Sequence, residues 1–143
     1  MHKLIIVVLM LIGTSSTQLH AEGTSKVKEL FEVYEKYKLC VVLLMNAATD
    51  QFGLPLQFEV DSDFYSSSNR KLYSTKIQEK FTIDYKEAGE DNLSEDEKNY
   101  MNQKLFDESF KEGVKWGAMF TSQGASTWDT PIRACVSEFK LSN

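Results

Sequence analysis

The sequence predicts a mainly α-helical protein: a compact bundle of about four helices, with one short strand near residues 56–60 and a single disulfide as a staple. Three observations carry that prediction. Apolar residues recur at three- and four-residue spacing along most of the chain. Helix start and stop signals fall at the ends of those periodic runs, at Gly89, Ser94–Glu97 and Thr130-Pro131. The two cysteines, Cys40 and Cys135, sit in the first and last of the runs.

The chain opens with a basic Met1-His2-Lys3, an apolar run from Leu4 to Ile12, and a small polar stretch ending Leu19-His20-Ala21. That is the order of a secretory signal peptide, and nine apolar residues are too few to span a bilayer as a helix. Residues 1–21 are therefore expected to be removed, leaving residues 22–143 as a single helical domain. The expected location is the periplasm or the exterior of the cell, with no stable membrane insertion after cleavage. Cleavage discards His2 and His20, the only histidines.

From Lys26 to Thr49 the spacing of Val27, Leu30, Phe31, Tyr34, Tyr37, Val41, Leu44 and Ala48 predicts a helix. Leu39 to Met45 is apolar without interruption, so this half should run through the centre of the fold. Asp50–Pro55 breaks the helix at Gly53 and Pro55. Leu56-Gln57-Phe58-Glu59-Val60-Asp61 alternates like a half-buried strand, and a serine-rich polar loop follows to Asn69. Over 70–88 two patterns compete. Tyr73, Ile77, Phe81 and Tyr85 lie four apart, whereas Phe81–Tyr85 also alternates; the longer pattern is helical, and Gly89 can cap it.

Ser94-Glu95-Asp96-Glu97 is a capping box, so a helix should start there and run to about Thr121. Its broad apolar face, Leu105, Phe106, Phe110, Gly113, Val114, Gly117 and Phe120, is expected to pack on the core. Gly113 and Gly117 share that face, where small residues let another helix approach; a ligand or partner groove is the other reading of the pair. Ser122–Asp129 reads as a loop of small residues around Trp128, and Thr130-Pro131 as the N-cap and first residue of a last helix ending near Leu141.

The chemistry is defined largely by what is missing. Without histidine, hydrolytic triads, zinc sites and imidazole catalysis are not expected, so neither a catalytic residue, a metal ligand nor a cofactor is assigned. The acidic groups Glu59, Asp61 and Asp63, and Glu90 to Glu97, match no calcium loop and read as solvated surface, with a carboxylate-dependent glycosidase as a remote alternative. A net charge of −5, one unit more negative after loss of Lys3, disfavours nucleic acid and suits a basic protein partner. In an oxidising compartment Cys40 and Cys135 should pair. Asn92-Leu93-Ser94 is an N-glycosylation acceptor sequence.

Nine Phe, six Tyr and two Trp are more aromatics than four helices need. Phe64, Tyr65, Trp128 and the adjacent Asp129 fall in loop readings and are the expected partner-contact residues, the alternative being that the rings pin their loops to the core. In size, export and disulfide use the chain resembles small helical proteins of the bacterial periplasm, among them immunity proteins against cell-wall-degrading toxins and acid-stress chaperones; the likeness carries no residue over. The expected function is thus an exported, non-enzymatic protein-binding protein, an inhibitor or immunity protein. A binder of a small apolar ligand and a stress chaperone are the alternatives.

Overall fold

A computed structural model describes residues 24–49 and 63–143. Within them lie four α-helices: α1 (Ser25–Ala48), α2 (Ser67–Glu87), α3 (Glu95–Gln123) and α4 (Ser126–Glu138), with a turn of 3-10 helix at Glu90–Asn92. The expected helical architecture is the observed one. There is no strand among the described residues. The segments expected as a signal peptide (1–21) and a strand (56–60) lie outside them.

Helix α1 is the axis of the molecule. Thr24 caps it, its hydroxyl accepting from the Val27 N–H at 3.3 Å. Its buried positions run from Val27 through Leu30, Tyr34 and Tyr37 to Cys40, Val42, Leu43, Leu44 and Ala47. The apolar run at 39–45 is enclosed on most sides as its composition dictates, although Met45 remains 42% exposed.

Residues 70–88 are helical, and α2 begins slightly earlier than expected, at Ser67, where the Ser66 hydroxyl accepts from the Asn69 N–H. Tyr73, Ile77 and Tyr85 are buried, with Phe81 packed on the same face. The strand-like alternation at Phe81–Tyr85 is only local: Ile83, which it would pair with Phe81 on one face, is 56% exposed. Phe81 meets Tyr37 of α1 at 5.6 Å between ring centroids, and the Tyr37 hydroxyl donates to Asp84 Oδ2 at 2.6 Å. Burial, then this carboxylate, push the Tyr37 phenol well above its usual range. At the other end of α2, the buried Arg70 donates to Tyr65 O and to Ala47 O, so a cation closes the C-terminus of α1. Gly89 ends α2 in the left-handed conformation (φ +106°).

Helix α3 starts on the expected capping box. The Glu97 N–H donates to Ser94 Oγ at 3.2 Å, and the Ser94 N–H donates to Glu97 Oε2 at 2.8 Å. That bond, the largest cause, holds the Glu97 carboxyl below the usual glutamate range.

Two expectations fail here. The broad apolar face of α3 is not core: Met101 is its only buried residue, while Phe106, Phe110 and Val114 are 67%, 65% and 56% exposed. Periodicity shows that a face is apolar; it does not supply the surface that covers it. The loop expected at Ser122–Asp129 is also mostly helix. α3 continues to Gln123, Gly124 (φ +88°) turns the chain, and α4 begins at Ser126. Pro131 is therefore inside α4 rather than at its first position. Trp128 explains the early start, because its burial against Phe120 and its indole N–H bond to Trp116 O fix the turn before the proline.

Past Glu138, Lys140 adopts φ +52°, and its N–H and that of Leu141 return to Ser137 O and Val136 O. This Schellman closure tucks Leu141 fully inside.

The main core joins Tyr37, Cys40, Leu43 and Leu44 of α1 to Tyr73 and Ile77 of α2 and to Trp128, Ile132, Cys135 and Val136 of α4. A smaller cluster of Val27, Leu30, Tyr85, Leu93 and Met101 holds the start of α3. Cys40 and Cys135 form the expected disulfide, with Cα atoms 5.6 Å apart across 95 residues of sequence. Such a bond belongs to an oxidising compartment outside the cytoplasm. No described helix is long and apolar enough to cross a membrane.

Candidate binding groove on the third helix

The second half of α3 lies beside the C-terminal half of α1 without filling the space between them. An open groove of about 840 Å³ results, lined by Phe110, Val114 and Phe120 of α3, by Trp128 of α4 and by Asn46 of α1, with Gly113 and Gly117 between the aromatic walls. The volume falls within the range of small-molecule clefts. No charged side chain is among the described lining residues.

The glycines make the groove. Among the described residues, a Cβ built on Gly113 would meet only Val42 Cγ1, at 4.0 Å, and one built on Gly117 would meet nothing within 4 Å. Neither glycine is required for helices to approach, which corrects the packing reading of the pair. Each costs α3 about 1 kcal/mol relative to alanine. What the pair secures is space.

The polar groups at the groove are already occupied. Ser109 Oγ and the Tyr34 hydroxyl are 2.6 Å apart, and burial, the main cause, raises the Tyr34 phenol above its usual range. Asn46 donates to Val42 O and Thr121 to Gly117 O. The Trp128 indole N–H donates to Trp116 O at 3.0 Å, and its ring meets Phe120 edge-on at 5.4 Å. The walls are thus held in place while their apolar surfaces remain available. Outside the groove the same ridge continues as exposed Phe106, stacked on Phe110 at 6.4 Å.

Of the residues expected to contact a partner, three come together and one does not. Phe64, Tyr65 and Asp129 form a corner where the Tyr65 hydroxyl donates to Asp129 Oδ1 at 2.6 Å and Arg133 Nε–H to the same oxygen at 2.9 Å. The Arg133 guanidinium lies 4.3 Å from the Phe64 ring centroid. Tyr65 is buried and Phe64 packs on the core, so here the rings pin the chain to the core. Trp128 is 3% exposed and is a wall of the groove rather than a free contact. The residues that sequence reasoning placed in the core, Phe106, Phe110 and Val114, are the exposed ones. Their available signal was the unexplained glycine pair on the same face.

Among the described residues, no three acidic, cysteine or histidine side chains gather as a metal site. Glu90, Asp91, Glu95 and Asp96 lie on the surface where α3 begins. Comparison with known proteins gives no matching family model, no similar curated protein and no similar solved structure. The groove must speak for itself.

Proposed function

We propose that this protein is an exported, non-enzymatic binding protein of the inhibitor or immunity kind, and that the groove between α1 and α3 receives an apolar anchor of the protein it neutralises. The observation that carries the reading is the open space over Gly117, kept inside a long helix at a cost to that helix. An aromatic ridge exposed beside an apolar pocket is the arrangement that interface hot spots use, an anchor entering a desolvated cleft. The acidic balance of the chain favours a basic rim on the partner.

Gly117→Leu tests this directly, because its side chain enters the groove from a position whose Cβ meets none of the described residues. Capture from the native envelope or culture medium should return one stoichiometric protein with the wild type, and much less of it with Gly117→Leu. Equal capture by both removes the groove from the interaction. The groove volume favours a second reading, a small apolar ligand. Native mass spectrometry separates the two: a retained mass displaced by Gly117→Leu supports the ligand, and the bare chain mass argues against it. Trp128 and Trp116 lie at or beside the groove, so their fluorescence should report occupancy in either case.

A further inference from the structure

The ridge of α3 has an outer slope as well as a groove side, and that slope is self-complementary. Phe106, Phe110 and Val114 succeed one another at four-residue intervals and are all more than half exposed. Four residues apart again comes Ala118, also exposed. Beside this apolar line run Asp107, Lys111 and Lys115, all exposed and on a single flank: an acid toward the N-terminal end and bases toward the C-terminal end. Neither Asp107 nor Lys115 has an ion pair within the described part of the molecule.

We infer that a second copy of this chain packs on the outer slope, its α3 antiparallel to the first about a two-fold axis midway between Phe110 and Val114. That register sets Phe110 of each copy opposite Val114 of the other and Phe106 opposite Ala118. It brings Asp107 within one helical turn of Lys115 of the second copy, twice by symmetry, while the two Lys111 side chains approach near the axis, each paired with Glu108 of its own helix. Parallel pairing, about an axis along the helices, instead carries the charged flanks of the two copies to opposite sides of the seam, where Asp107 and Lys115 do not meet, and sets the two helix dipoles side by side in the same sense. The small Ala118 accepts the bulk of Phe106, and the stacked Phe106 and Phe110 rings leave water together. The inference goes beyond the groove reading and does not depend on it; Phe110 and Val114 serve both as groove walls and as the centre of the seam, so the dimer and a partner seated in the groove compete for them.

Sedimentation equilibrium of the purified protein at up to about 100 µM, well above the midpoint of a typical specific dimer, tests it. A dimer is expected. Phe110→Ala should weaken it by about tenfold or more, with an unchanged circular dichroism spectrum because the ring is exposed. Asp107→Lys should weaken it as well, most at low salt, and adding Lys115→Asp to that variant should restore it by exchanging the charges. A monomer overturns the inference and leaves the ridge to a partner of another sequence. A dimer indifferent to both Phe110→Ala and Asp107→Lys also overturns it, because the seam then lies elsewhere.

Discussion

Helices α1 and α3 are the two longest of the described helices and have opposite fates. α1 buries nine of its 24 residues, and α3 buries one of its 29. Both carry apolar residues at helical spacing, so the contrast does not lie in the pattern. It lies in what surrounds them. α1 is enclosed by α2 on one side and tied to α4 by Cys40, whereas α3 is held by Leu93 and Met101 at its start, by polar contacts from Tyr34 and Lys38 to Leu105, Glu108 and Ser109 along its middle, and by Phe120 against Trp128 near its finish. One helix uses its apolar surface to build the fold; the other leaves much of its apolar surface exposed.

Breaking the staple should have the largest effect. A bond closing 95 residues restricts the unfolded chain by about 4–5 kcal/mol in the chain-entropy model, so Cys40→Ser with Cys135→Ser should lower the urea midpoint sharply. A loss under about 1 kcal/mol would mean that the packing of α1 alone holds the core. The next effect is a direct contest between the two helices. Leu43→Ala, at a fully buried site of α1, should cost about 3 kcal/mol, and Phe110→Ala on α3, though it removes a larger side chain, about 0.5 kcal/mol or less. Equal costs would mean that the face of α3 is packed after all.

Smaller changes sharpen the contrast. Ser94→Ala removes the box that starts α3 and should cost about 1 kcal/mol. The folded Glu97 carboxyl lies below its unfolded range, so its contribution is present above that range and is lost as pH falls through the folded value. The stability difference between wild type and Glu97→Gln should therefore shrink on acidification; a difference constant down to about pH 2 would count against the box as an ionic cap. Last, Gly117→Ala should raise thermal stability by up to about 1 kcal/mol, since α3 gains a better helix former at no steric cost. Destabilisation there would show that the open space over Gly117 is closed in solution.

The same contrast explains what the sequence could disclose. The central run of α1, the stripe on α2, the capping box and the disulfide were legible because each rests on local spacing or on a pairing with no competitor. The competing strand pattern at Phe81–Tyr85 lost because the four-residue stripe continues past it to Tyr73 and Ile77, which are buried. The start of α4 was misplaced because Thr130-Pro131 is a good local signal overruled by a distant contact, the burial of Trp128. The exposed ridge was misassigned because an amphipathic pattern reports a preference for burial and says nothing about which neighbour exists. Phe64, Tyr65 and Asp129 carry contact chemistry, and that chemistry is spent on one another and on Arg133.

The link between Cys40 and Cys135 also sets an order of events during synthesis. Cys40 emerges with the first helix, and its mate follows only after α2 and α3 have been made. Throughout that interval Cys40 is a lone thiol within the apolar run of α1, open to capture by any other thiol it meets. A nascent chain arrested within α3 can be distinguished by that thiol alone, and a chain that has passed Cys135 by its loss. The bond thus marks, in an oxidising compartment, a chain that has been made through α4.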